Sequence, residues 1–295
     1  MSTSYMSKSL QRYKPSTDQT GFTLIELVVV IVVLGIVSIG MTGIVRNAMD
    51  TVINVSERDN LVREGSFLAE RFNRELNASV PNSVRISGNA LVHCIEFVPM
   101  QWNGIYLTLP LAGEASNIAD LVELSDIQDR PFTPSPGDFA IVYPTRASQV
   151  YNASIGHRRS VQSCSDDGVD SDCSTLDDSD KVIQLEVSDG FAQTSPSRRI
   201  YFAKEAISYC MRDNQVYRHV NSINESQTLF TSGGSLMAQN LVNQLAINAS
   251  TGNQNPFTSV GASLTRNAAT QALFIFGRHD ERVTFMQEVQ IPNVP

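Results

Sequence analysis

The chain has 295 residues, 42% hydrophobic, 18% charged and 7% aromatic, a composition that excludes disordered, collagen-like and disulfide-dense chains. Its 22 Lys and Arg stand against 30 Asp and Glu, a formal net charge of −8, which opposes binding to nucleic acid unless the basic residues gather on one face. They do not gather in sequence: the doubled pairs are Arg158-Arg159 and Arg198-Arg199, each running into strand-like residues, so nucleic acid is not an expected partner.

Residues 1–21 are hydrophilic, with Lys8, Arg12 and Lys14 against Asp18, and from Phe22 to Val45 the only charge is Glu26. About 20 apolar residues in a helix cross the roughly 30 Å hydrocarbon core of a bilayer, so Leu27 to Val45 can span it once. A secretory signal has an apolar core of about 7 to 15 residues before a small-residue cleavage site. Here the run is longer and leads into Arg46-Asn47-Ala48-Met49, which argues for a retained helix. The positive flank keeps residues 1–21 cytoplasmic and sends the rest across. A carboxylate beside the apolar run is costly unless paired. A cut between Gly21 and Phe22 would put the new α-amine one helical turn from Glu26, where the charges neutralise each other within or between subunits. The plainer reading is that Glu26 marks the wet edge of the helix.

Gly21-Phe22-Thr23-Leu24-Ile25-Glu26, followed directly by the apolar run, resembles the class III signal of type IV pilins and type II secretion pseudopilins. The resemblance implies an α+β, type IV pilin-like fold, with a long N-terminal transmembrane and amphipathic helix packed on a C-terminal antiparallel β-rich globular domain. It further implies cleavage after Gly21 by a prepilin peptidase, N-methylation of Phe22, and subunit assembly through Phe22 and Glu26, the glutamate attracting the amine of a neighbouring subunit. The partners it implies are that peptidase, other major and minor pilins, the inner-membrane assembly platform, and membrane lipid along residues 22–45. The segments Asn73-Arg74-Glu75-Leu76, Cys94-Ile95-Glu96-Phe97-Val98-Pro99 and Ile207-Ser208-Tyr209-Cys210, with the ending Glu288 to Pro295, are similar to minor pilin-like proteins of the mannose-sensitive haemagglutinin (MSHA) pilus. The organisation expected is a leader, 1–21; a pilin helix, 22–80, membrane-spanning over 22–45 and amphipathic over 46–80; and a periplasmic or extracellular β-rich head, 81–295. The chain would sit as a single-pass inner-membrane protein and then in the pilus.

From Arg46 to Ser79 there is no proline, and Leu61, Gly65, Leu68, Phe72 and Leu76 recur at three or four residues, an amphipathic helix that Pro81 ends. Strands are expected at Leu91 to Val98, Gly104 to Leu109, Phe139 to Tyr143, Val182 to Val187 and Arg199 to Phe202. Ala206 to Met211 and Gln215 to Val220 form a hairpin about Arg212-Asp213-Asn214. Ser235 to Gln244 reads as a short helix, and Gln271 to Phe276 and Arg282 to Ile291 as closing strands. Ala112 to Gly137 and Val161 to Lys181 read as irregular loops.

The four cysteines, Cys94, Cys164, Cys173 and Cys210, allow three pairings. Cys164 with Cys173 would close a short acidic loop, and Cys94 with Cys210 would join two expected strands; this pairing is favoured over a zinc site, since no C-x-x-C pair exists and the histidines are dispersed. Between Cys164 and Lys181 lie seven aspartates without a base. That loop is solvated or, on the weaker reading, binds calcium through Asp166, Asp167, Asp170 and Asp172, although no EF-hand register runs through Gly168. No other cofactor is expected. Hydrolase, P-loop, zincin and dinucleotide motifs are all missing, which argues against an enzyme. The function expected is a minor pilin-like structural subunit of a type IV, MSHA-type pilus, acting in assembly or in a tip or priming complex. A type II secretion pseudopilin is the nearest variant, and a pilus-borne adhesin or calcium-binding module the rival.

Overall fold

The computed structural model describes residues 21–125, 132–166, 173, 181–246, 254–260, 268–279 and 281–291. The chain falls into two compact units, Met1–Val55 and Ser56–Pro295. One helix, α1 (Leu24–Asn77), enters both.

Within the first unit every described residue is exposed, and α1 is long and apolar enough to cross a membrane. Its hydroxyl side chains in this unit are turned back on their own backbone: Ser38 Oγ donates to Leu34 O at 2.7 Å, Thr42 Oγ1 to Ile39 O at 2.7 Å, and Thr51 Oγ1 to Asn47 O at 2.8 Å. A hydroxyl satisfied in this way can face hydrocarbon without an orphaned donor.

In the second unit α1 buries Leu61, Gly65, Leu68, Ala69, Phe72 and Leu76, the stripe that the spacing predicts. Beyond it come β1 (Arg85–Gly88), β2 (Val92–Phe97), β3 (Trp102–Ile105), β4 (Ile118–Val122), β5 (Phe139–Val142), the short α2 (Ala147–Tyr151), β6 (Arg158–Asp166), β7 (Val182–Val187), β8 (Arg199–Ala203), β9 (Ala206–Arg212), β10 (Gln215–Asn221), β11 (Ser235–Ala238), β12 (Phe257–Val260), β13 (Ala268–Arg278) and β14 (Glu281–Ile291). They make three antiparallel sheets, ordered β1-β2-β9-β10-β11, β12-β13-β14 and β3-β8-β5-β6-β7-β4. The molecule is therefore α+β, a long N-terminal helix followed by an antiparallel β domain.

The α1 stripe packs against the first two sheets, in a core that includes Ile95, Phe97, Tyr209, Phe257, Phe274 and Phe276. Phe72 lies at its centre, edge-on to Tyr209 at 5.5 Å and stacked on Phe257 at 5.6 Å. Gly65 is required by close approach: a Cβ there would lie 2.0 Å from the Phe285 ring. The six-stranded sheet encloses a second core with Leu121, Leu185, Phe191 and Phe202. Its edge strands β3 and β4 meet just past β3, where Tyr106 bridges Leu121 and Leu107 N donates to Asp120 O at 2.7 Å, so this sheet closes on itself.

Several sequence expectations are corrected. Ser235 to Gln244 is no helix: β11 covers its start, and Val242 N donates to Ile275 O while Gly277 N donates to Asn240 O, which ties the remainder to β13. The i, i+4 spacing of Met237 and Leu241 fits either state, and pairing with two sheets overrides propensity, Asn240 turning the chain at φ 60. The strand expected from Gly104 ends at Ile105, because residues 106–108 leave for β4. The stretch 112–137 contains β4, and β6 runs into the stretch 161–181. The remainder of those two stretches, at 126–131, 167–172 and 174–180, lies outside the described residues.

Candidate processing and assembly site

The residues expected to be processed sit at the very start of α1. Gly21, Phe22 and Thr23 precede the helix and are exposed, and the helix begins at Leu24. Thr23 occupies the N-cap: Glu26 N donates to Thr23 Oγ1 at 3.4 Å, and Thr23 N donates back to Glu26 Oε2 at 3.5 Å. This is a capping box, in which hydroxyl and carboxylate each satisfy one of the amides that a helix start leaves without a partner. Its signal, Thr-x-x-Glu ahead of an apolar run, was legible in the sequence beside the two readings of Glu26 given above. In the structure the carboxylate reaches the amide of Thr23, next to Phe22, and its charge faces the positive end of the helix dipole. Phe22 is 84% exposed.

In the β domain, Cys94 and Cys210 lie directly opposite each other on β2 and β9 and are bonded, with Cα atoms 4.1 Å apart; Cys164 is bonded to Cys173. Of the calcium candidates, Asp166 closes β6 and is buried, whereas Asp167, Asp170 and Asp172 lie outside the described residues. Among the described residues no three His, Cys, Asp or Glu side chains gather as metal ligands.

The remaining titratable clusters stitch elements together. Glu96, fully buried, receives Arg85 at 2.5 Å and Ser208 Oγ at 3.0 Å, while Arg85 stacks over the Tyr151 ring at 3.5 Å. Burial, and then the Glu96 charge, push the Tyr151 phenol well up. Arg158 donates to Ile223 O and Tyr151 O, and Arg159 pairs with Asp189. The first doubled basic pair is thus spent inside the fold. His219 stacks on Phe230 at 4.1 Å, and its Nε2 lies 3.3 Å from Arg212 Nη1; burial, then the Arg212 charge, lower its pKa.

Residues 16–42 match the family model of the prokaryotic N-terminal methylation motif. The motif indicates a protein of the type IV pilin-like or pseudopilin type, and implies processing by a prepilin peptidase and partners among other pilins. No curated protein and no solved structure matches the chain.

Proposed function

We propose that this chain is a minor, membrane-anchored subunit of a type IV pilus of the MSHA type, similar to the family of MshO, acting in pilus assembly or in a tip or priming complex. The observation that carries the reading is the methylation motif set directly on an apolar helix whose continuation bears a β domain. A helix exposed and apolar all round stays buried only in lipid or among its own kind, so one segment serves first as inner-membrane anchor and then as filament core. In this reading residues 1–21 are a cytoplasmic leader, Phe22 becomes the methylated N-terminus, and Glu26 holds the amine of a neighbouring Phe22 in place of its capping bond to Thr23. The two disulfides suit a domain held outside the cytoplasm. The size of the β domain favours low abundance, because loops on every subunit would have to fit between neighbours. A type II secretion pseudopilin shares the N-terminal chemistry and is the second reading.

The test is the mature N-terminus, read by mass spectrometry from full-length chain expressed with and without the prepilin peptidase. Methylated phenylalanine at position 22 is expected, and is lost without the peptidase and in Gly21→Ala. An uncut chain, or a cut beyond residue 45, overturns the proposal.

A further inference from the structure

Residues directly opposite in an antiparallel ladder share a face. On the face of the first sheet turned away from the α1 core, Cys94, Cys210 and Tyr217 therefore form one row across β2, β9 and β10, and Glu96, Ser208 and His219 the next. Residues 222–234 run from the end of β10 to the start of β11 without helix or strand and strap this face. The first part of the strap is fixed: Arg158 donates to Ile223 O at 2.9 Å, Arg85 to Asn224 O at 2.8 Å and to Glu225 O at 2.5 Å, and Asn152 to the Glu225 carboxylate at 2.7 Å. The second part is held differently. Leu229 and Phe230 pack on Val92, Cys94 and Cys210, Gln227 donates to Cys94 O at 3.2 Å, and Arg212 donates to the carbonyls of Phe230 at 3.1 Å and Gly233 at 2.7 Å. Both cysteines beneath are fully buried. The strap ends at Gly233 and Gly234, whose φ of 71 and 85 glycine adopts without strain.

Arg212 has a further partner. Its Nη1 lies 3.3 Å from His219 Nε2. A guanidinium offers no acceptor, so Arg212 donates and Nε2 is the unprotonated nitrogen of a neutral ring. That ring is stacked on Phe230 at 4.1 Å, and Gly234 passes so close that a Cβ there would lie 2.6 Å from it. The surroundings offer a second proton no compensation. Among the described residues Arg212 is the charge beside the ring. Tyr217 lies beneath the Arg212 guanidinium at 3.9 Å and gives its hydroxyl to Gln215. Glu96, two strands away, is taken by Arg85 and Ser208, while residues 226–232 of the strap, and Gly234 and Ser235 beyond it, carry no ionisable side chain.

We infer that residues 227–232 are a latch, closed over the Cys94–Cys210 bond while His219 is neutral and lifted when His219 takes up a proton. A proton on Nε2 sets one N–H against another and brings like charges together, so the guanidinium is driven off and both strap carbonyls lose their donor with it. A charged ring stacks on Phe230 at least as well as a neutral one, so the opening comes through Arg212 and not through the stack. Burial, and then the Arg212 charge, hold closed-state His219 below its ordinary value of about 6.5. The closed latch is thus most stable above that value and loses stability as pH falls below it, because the open state binds the proton more readily. Residues 223–225 keep their own donors throughout, so the opening is local.

The experiment treats the full chain in detergent micelles with a water-soluble phosphine. This reagent cleaves a disulfide without a thiolate: water supplies the oxygen of the phosphine oxide, and both sulfurs leave as thiols. Initial rates at Cys94–Cys210, read by alkylation and mass spectrometry, are divided by that of oxidised glutathione in the same sample. From about pH 7.5 to about pH 5.5 this ratio should rise about tenfold, the gain in proton binding of one imidazole released to its ordinary pKa. His219→Gln keeps an acceptor for Arg212 but does not titrate, and should abolish the rise. Phe230→Ala loosens the closed latch and keeps the titrating group, so it should raise the ratio at both pH values and preserve its pH dependence. Near-ultraviolet circular dichroism should stay constant over the range. A ratio independent of pH, or a rise that survives in His219→Gln, would overturn the inference. So would a rise that comes with loss of the dichroism, since unfolding of the whole domain would then be what bares the bond.

Discussion

Glu75 accepts from Arg71 Nε of its own helix at 3.0 Å and ties α1 to the first sheet through two further donors, Arg218 Nε at 2.9 Å and the Tyr209 hydroxyl at 2.9 Å. Burial pushes its carboxyl up, but the hydrogen bonds from Arg218, Arg71 and Tyr209 together outweigh burial and hold it below the usual carboxylate range. A carboxylate with a lowered folded-state pKa stabilises the fold above its unfolded value, about 4.3, and that contribution fades as pH falls through the folded value. Glu75→Gln should therefore cost about 2 kcal/mol at neutral pH, the scale of charge-assisted hydrogen bonds lost with partners left half-buried. It should also flatten the fall in stability below about pH 5. Urea midpoints of both proteins across that range test this, and parallel curves would show that Glu75 is no acid-sensitive tie. The position was legible as a polar neighbour of the apolar stripe, with Arg71 one helical turn before it, whereas its two sheet partners were not, since Arg218 and Tyr209 are brought to it from β10 and β9 by strand pairing alone.

The two disulfides close loops of very different length, with separations of 116 residues for Cys94–Cys210 and 9 for Cys164–Cys173. In the chain-entropy model those separations give about 5 and about 2.5 kcal/mol. Replacing both cysteines of the longer loop by alanine should lower the denaturation free energy about twice as much as the same change in the shorter one, as chemical denaturation of the two double variants would read. Equal losses would show that the β2–β9 ladder already restrains the unfolded chain. Strands of this domain were legible where local chemistry specified them. Asp213 and Asn214 adopt φ 49 and 61, the mirror-image turn that a two-residue hairpin needs, so β9 and β10 could be placed from sequence. By contrast β4 is held by β7, distant in the chain, and β11 carries a spacing that serves a helix equally well; no window of sequence resolves such cases.

At the scale of the whole molecule, the division of labour was plain in the sequence because an uninterrupted apolar run is a signal that needs no tertiary context. The sheet order was not legible, because β2 finds β9 and β3 finds β8 across more than 90 residues, and such pairings come from competition among strands rather than from local propensity. The candidate site lay between these cases: its residues could be named from sequence, and the capping geometry of Thr23 and Glu26 needed coordinates. The same division gives a prediction. Every described residue up to Val55 is exposed, and the first buried side chain of α1 is Leu61, so a chain starting at Ser56 keeps every buried α1 residue. It also keeps both disulfides and all the sheets. Residues 56–295 should then be soluble without detergent and unfold in one cooperative transition, since the α1 stripe remains to cover the core of the first two sheets. Starting instead at Asn77 removes Leu61, Leu68, Phe72 and Leu76 at once, each worth about 2 to 5 kcal/mol as a truncation to alanine. That sum exceeds the stability of an ordinary domain, so the shorter fragment should lose its near-ultraviolet circular dichroism. A shorter fragment that kept its cooperative unfolding would mean that the sheets carry their own core and that α1 is only laid upon it.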